Sequence, residues 1–232
     1  MTRYGYEILN CDLLALLCSP SLIAAPGGGH HKVTAYDYHD YLNSAIQSKT
    51  FIYHFDGVVN DLVWTFDRSN PREVIRIEEV TEANSNVVLR YGTRTFTSTA
   101  ESFDLVQAEN YNPATIPPEL EDTVDYTPPL IKLTSAMVPG IAWGSAGIQD
   151  SILSGQNYYF DKTEILAVED VSVTAGTFQN CLKIHSVHQF RAGSSHAQMD
   201  WFCPGMGLVK RIHNRELLDL VSLTYNERGL CM

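Results

Sequence analysis

Short segments rich in Val, Ile, Thr, Phe and Tyr follow one another along the chain from about residue 50, with turn residues between them. Such side chains fit the pleated, half-buried surface of a sheet, and closely spaced turns are typical of antiparallel β structure. One short helix is predicted over residues 36–48, where Tyr38, Tyr41 and Ala45 recur at helical spacing. The predicted fold class is therefore mainly β, with few short helices.

A proline-rich stretch at about 113–139 divides these segments into two groups. It holds six of the ten prolines, and proline removes a hydrogen-bond donor from any strand that it enters. The stretch is therefore predicted to be a connector. Because either half alone would bury little core, one domain over residues 25–232 is favoured over two small β domains.

The charge balance restricts the partners. The chain of 232 residues carries 16 Lys+Arg and 27 Asp+Glu, which gives a net charge of −11. The basic residues lie singly or in pairs, as at Lys210-Arg211, and form no run that would bind phosphate groups. We therefore expect no nucleic-acid partner and no attraction to an anionic membrane surface.

An apolar stretch near the amino terminus has the form of an export signal. Arg3 precedes the apolar residues 13–25, which end in small side chains and are followed by Pro26 and three glycines. The stretch is shorter than the ~20 apolar residues of a membrane span, so it predicts a signal peptide at 1–24. The mature chain would have no transmembrane span and would reach the periplasm or the cell surface. The alternative is a buried or frayed N-terminal helix in a cytoplasmic protein.

Removal of the signal peptide would leave three of the five cysteines: Cys181, Cys203 and Cys231. A hairpin is predicted with its turn at 175–176, and a second turn at 192–194 folds the chain back on it. This places Cys181 opposite Cys203 or one diagonal step away, close enough for a disulfide in an exported protein. The alternative is two unpaired thiols at these positions. Cys231 is predicted to be a free thiol.

Two patterns in the second half of the chain carry a resemblance to known proteins. They are V-T-A-G-T-F-Q-N-C at 173–181 and W-F-C-P-G-M-G-L-V-K at 201–210. With the proline-rich lead at 126–133, they resemble a group of bacterial exported proteins of unknown function, over about residues 126–225. The resemblance implies a fold of the lipoprotein-carrier type, a curved antiparallel sheet that forms an open half-barrel around an apolar concave surface. No catalytic residues can be carried over from this group.

Aromatic residues are abundant, with 12 Tyr, 9 Phe and 3 Trp. Their ordinary role in β proteins is core packing and cross-strand pairing. The alternative is that a curved sheet keeps one apolar face open for a hydrophobic ligand. The residues predicted to form the wall of such a cavity are Trp143, Phe178, Leu182, Ile184, Phe202 and Leu208.

The sequence contains no motif that we identify with catalysis or cofactor binding. Acidic pairs such as Glu78-Glu79 consist of adjacent strand residues that face opposite ways, so they are predicted to be solvated turn and edge residues. His185 and His188 are three apart and face opposite sides of a strand, which argues against a shared metal. We therefore predict no catalytic residue, no metal and no cofactor.

Three functions are compatible with these patterns. The leading hypothesis is a non-enzymatic exported cell-envelope protein that binds a lipid-like or other apolar ligand, or a partner protein, in its concave face. The alternative is a structural or assembly protein of the cell surface that associates through sheet edges or a Cys231 disulfide. An uncharacterised hydrolase is the third hypothesis, and the missing motifs favour it least.

Overall fold

The computed structural model describes residues 35–42, 46–70, 72–85, 87–191, 193–214 and 216–225. In this part of the chain a 3₁₀ helix, Tyr38–Tyr41, precedes twelve strands. The strands are β1 Ile46–Phe55, β2 Val58–Asp67, β3 Glu73–Glu82, β4 Val88–Ser98, β5 Ser102–Asn112, β6 Glu119–Thr134, β7 Ala142–Ser151, β8 Gly155–Val173, β9 Gly176–Phe190, β10 Ser195–Cys203, β11 Gly207–His213 and β12 Glu216–Tyr225. Each strand pairs antiparallel with the next along the chain, and β1 pairs with β12, which gives a closed barrel.

The mainly β prediction is confirmed, but the predicted open half-barrel is wrong because the sheet closes on itself. β1 pairs with β12 along its whole length. Between β6 and β7 four residue pairs close the barrel, from Val124 with Ser151 to Thr127 with Ile148. Closure satisfies backbone groups that an open sheet would leave at its edges. Each described strand therefore has a neighbour on both sides, and the β6–β7 seam, which is paired only at these four positions, is where strand edges remain for association.

The segment 36–48, predicted as a helix, contains only one helical turn in its described residues. That turn is the 3₁₀ helix Tyr38–Tyr41, and β1 already begins at Ile46. Both tyrosines are fully buried, so their helical spacing marks the buried side of this single turn and not a longer helix. The Asp40 carbonyl accepts a hydrogen bond from the Gly205 N–H at 2.6 Å. This bond holds the turn at the end of the barrel where β10 connects to β11.

β6 runs through the proline-rich stretch 113–139, where a connector was predicted. Pro128 and Pro129 lie at a shift in the β5–β6 register, between Asp125 and Leu130 of β6. Residues at such an irregularity leave the regular ladder, so the missing proline N–H removes no regular ladder bond to β5. A strand can therefore cross this stretch.

β8 and β9 form the hairpin that the sequence predicts, with the turn at 174–175. The tip folds onto β12, where the Ala175 N–H donates to the Leu220 carbonyl at 2.8 Å. The next turn brings β10 back along β9 in register. The predicted disulfide between Cys181 and Cys203 is present, with Cα atoms 4.1 Å apart.

Alternate residues of each strand face the barrel interior. Two clusters of buried apolar side chains occupy part of it: one contains Phe51 and Trp64, and the other contains Phe103 and Ile184. Barrels of many strands enclose more space than side chains fill. The remaining interior space is the candidate functional site.

Candidate functional site

Two adjoining cavities lie inside the barrel. Their volumes are about 230 and 370 Å³, and both are lined by Trp64, Arg76, Arg94, Gln198 and Arg211. Ligand sites commonly measure about 300–1,000 Å³. We call the smaller one the apolar cavity and the larger one the charged cavity, after the side chains that line each of them.

Aromatic and aliphatic side chains from several strands bound the apolar cavity. Phe96 of β4 and Phe103 of β5 stack with their ring centroids 4.7 Å apart. Ile184 of β9 and Phe202 of β10 also line the cavity. Tyr41 of the 3₁₀ helix lines it at the end of the barrel where β10 connects to β11.

Half of the predicted wall residues line the apolar cavity, namely Ile184, Phe202 and Leu208. Leu182 is fully buried in the core cluster that contains Phe103, and Trp143 packs against the same cluster. Phe178 packs against the other core cluster, because the β8–β9 hairpin extends past the barrel wall and folds over β12. These three residues do not line either cavity.

Charged side chains form much of the remaining lining, and no pattern in the sequence predicted them there. Among the described residues that line the two cavities, seven are Lys or Arg and three are Asp or Glu. The cations are Lys49, Arg68, Arg76, Arg90, Arg94, Lys132 and Arg211, and the carboxylates are Glu78, Asp200 and Glu216. The barrel therefore gathers scattered basic residues into a positive interior, in a chain whose net charge is −11.

Glu78 lies between two arginines in the charged cavity. Its Oε1 is 2.6 Å from Arg76 Nη2, and its Oε2 is 3.5 Å from Arg94 Nη2. Burial opposes ionisation of Glu78, but Arg76, Arg94 and further arginines outweigh it and hold the pKa of Glu78 below its usual value. The prediction of a solvated Glu78-Glu79 pair is therefore wrong for Glu78, which faces the interior.

Two further charged groups have defined partners. Arg211 donates from Nε to Asp200 Oδ1 at 2.7 Å and from Nη2 to Oδ2 at 2.8 Å, a bidentate pair. Lys49 donates to the carbonyl oxygens of Met206 and, at 3.0 Å, of Leu208. Burial, together with repulsion from neighbouring arginines, lowers the pKa of Lys49 to about 7.

A polar cluster on β8 and β9 bears on the hydrolase hypothesis. His188 Nδ1 lies 3.2 Å from Asp161 Oδ1, and Ser186 Oγ lies 3.0 Å from Thr163 Oγ1. Among the described residues, no hydrogen bond joins Ser186 to His188. A serine nucleophile needs such a bond to its base, so this cluster does not have the arrangement of a Ser-His-Asp hydrolase. His185 faces the opposite side of β9, as predicted.

The predicted signal peptide at 1–24 and the predicted free thiol Cys231 lie outside the described residues. In the described part of the chain, no helix has the length and hydropathy of a membrane span. The same residues contain no group of three or more His, Cys, Asp or Glu side chains placed to bind a metal. No protein-family model matches the chain, and no curated protein or solved structure matches it either.

Proposed function

We propose that this protein is a non-enzymatic, exported cell-envelope protein that holds a lipid-like or other apolar ligand inside its barrel. The observation that carries the proposal is the apolar cavity, with Phe96, Phe103, Leu105, Ile184 and Phe202 in its lining. Each CH₂ group of an alkyl chain contributes about 0.8 kcal/mol when it is buried against such a surface. The aromatic and aliphatic part of this lining therefore favours a ligand with an apolar portion.

Exposed apolar residues at one end of the barrel support the proposal. The β5–β6 and β7–β8 turns lie at the same end of an antiparallel barrel, and they carry Ile116, Ile152 and Leu153. All three side chains are exposed, and Ile116 is 99% exposed. Exposed apolar groups gathered in one region are typical of surfaces that meet lipid or another protein. This end lies next to the charged cavity and opposite the β10–β11 connection. An apolar molecule taken up from a membrane there would therefore pass the charged cavity before it reached the apolar cavity.

The Cys181–Cys203 disulfide supports the export part of the proposal. Disulfides persist in the periplasm and outside the cell, and they are rare in the cytoplasm. Expression of the full chain in a Gram-negative bacterium, followed by fractionation and intact mass measurement, tests this part. We expect a periplasmic product that begins at residue 25. A full-length product confined to the cytoplasm would overturn the export proposal.

Fluorescence of N-phenyl-1-naphthylamine, an uncharged apolar dye, tests ligand binding by the delipidated protein. We expect saturable enhancement with one site per chain. Val74 lines the apolar cavity, so Val74→Trp should fill it and weaken dye binding at least tenfold. The matched control is Leu166→Trp, at an exposed position in the middle of β8 that lines neither cavity, which should bind like the wild type. Equal binding by both variants, or no saturable binding by the wild type, would contradict the proposal.

A further inference from the structure

Each carboxylate that lines the interior already has a partner within the protein. The cations that line the interior outnumber these carboxylates by seven to three. Glu78 is shared by two arginines, and Asp200 is bound by one arginine in a bidentate pair. Glu216 accepts a hydrogen bond from the Tyr53 hydroxyl at 2.8 Å. The protein's own carboxylates thus leave positive charge in the interior that they do not neutralise.

Lys132 is the clearest example of an unpaired cation. It lies on β6 and lines the apolar cavity. Among the described residues, its ammonium group has no carboxylate within 4.0 Å and no hydrogen bond. Burial lowers the pKa of Lys132, and nearby Arg211 and Arg76 add to this effect while Asp161 and Asp200 oppose it. An anion at this position would compensate for the burial of the ammonium group.

The side chains of the arginines that line both cavities remain partly accessible. The accessible fractions of their side chains are 16% for Arg76, 21% for Arg94 and 21% for Arg211. Two N–H donors on residues that line both cavities, Arg76 Nε and Trp64 Nε1, have no hydrogen-bond partner among the described residues. Arg94 already donates to the carbonyls of Thr93 and Glu109 and to Asn110 Oδ1, so it contributes positive charge to the junction of the cavities rather than free N–H donors.

We propose that the ligand is an anionic amphiphile, with a carboxylate or phosphate headgroup among Arg76, Arg94 and Lys132 and an alkyl chain along Phe96 and Phe103. The inference rests on the proposed function and names its ligand class. Guanidinium groups bind carboxylates and phosphates through paired N–H donors, and an ammonium group adds a point charge. A cationic headgroup would meet like charges, and a neutral headgroup would leave these cations uncompensated.

Four ten-carbon probes and one free ion test the headgroup: decanoate, decyl phosphate, decanol, decyltrimethylammonium and inorganic phosphate. Each is titrated against the delipidated protein carrying N-phenyl-1-naphthylamine, below its critical micelle concentration. We expect decanoate and decyl phosphate to displace the dye at least tenfold more tightly than decanol, a difference of about 1.4 kcal/mol. The cationic probe should bind more weakly than decanol, and inorganic phosphate alone should not displace the dye.

The matched variants are Lys132→Met in the interior and Lys162→Met on the exposed face of β8, which change the net charge equally. We expect Lys132→Met to weaken decanoate at least fivefold and to leave decanol unchanged, and Lys162→Met to change neither. Lys132→Gln serves as a second variant if Lys132→Met does not fold.

Each contrary outcome has a distinct meaning. Equal affinities for decanoate, decanol and the cationic probe would overturn the headgroup inference while leaving the proposed function in place. Failure of the dye and of every amphiphile to bind would overturn the proposed function itself. Binding of inorganic phosphate without any amphiphile would overturn both and assign the cations to a free anion.

Discussion

The Cys181–Cys203 disulfide gives the most quantitative prediction. It links β9 and β10, the strands that carry Ile184 and Phe202 to the apolar cavity. The two cysteines are 22 residues apart. Cross-linking a loop of that length removes conformational entropy from the unfolded chain worth about 3 kcal/mol at 25 °C. The Cys181→Ala/Cys203→Ala variant should therefore unfold about 3 kcal/mol more easily than the oxidised wild type.

Urea unfolding at pH 7 measures this difference. With a slope of about 2 kcal/mol/M, the midpoint should fall by about 1.5 M. Wild-type protein treated with a reductant is the control, because it loses the cross-link but keeps both sulfur atoms in place. Equal midpoints for the oxidised and the reduced wild type would show that the cross-link does not stabilise the fold. Alkylation of Cys181 and Cys203 without prior reduction would refute the pairing itself.

Three further perturbations test the barrel and its charged interior. A Cβ at Gly147 would collide with the Thr127 carbonyl, where four residue pairs join β6 and β7. Gly147→Ala should therefore lower the free energy of unfolding in urea by about 1–3 kcal/mol and speed amide exchange in these two strands. Unchanged exchange would contradict the pairing of β6 with β7. The pKa of Lys49 is about 7 in the folded chain and near 10.5 in the unfolded one, so the unfolded chain binds more protons between these values. The free energy of unfolding should therefore rise with pH from 7 to 9.5, by at most about 1.4 kcal/mol per pH unit. Lys49→Met should flatten that slope, and an identical slope in the variant would argue against the buried ammonium group. Arg211→Met removes the ion-pair partner of buried Asp200 and leaves it the Gln198 Nε2 hydrogen bond, so it should cost about 3–5 kcal/mol. Adding Asp200→Asn should recover part of that loss, and purely additive costs would contradict a coupled pair.

Local patterns predicted the local structure well. The hairpin turn, the return of β10 along β9 and the pairing of Cys181 with Cys203 depend on neighbouring strands and short turns, which the sequence encodes within about thirty residues. The prediction of a helix at 36–48 is wrong because buried residues at helical spacing also fit a single 3₁₀ turn followed by a strand.

Long-range features could not be predicted in the same way. Closure of the barrel depends on β1 meeting β12, which are separated by most of the chain, and no local pattern encodes that contact. The charged interior was missed because basic residues in strands are usually assigned to the solvent face. One signal of the charged interior was the alternation of side chains along β3. Arg76 and Glu78 share a face of this strand with Val74 and Val80. An ion pair flanked by apolar residues on one face indicates an interior that is partly polar.

Intermolecular nuclear Overhauser effects show directly whether an apolar ligand binds inside the barrel. Decanoate is added to protein with labelled isoleucine and phenylalanine side chains. We expect contacts from the terminal methyl of decanoate to Phe96, Phe103 and Ile184, all of which line the apolar cavity. Contacts confined to the exposed Ile116, or no contacts at saturating decanoate, would contradict it.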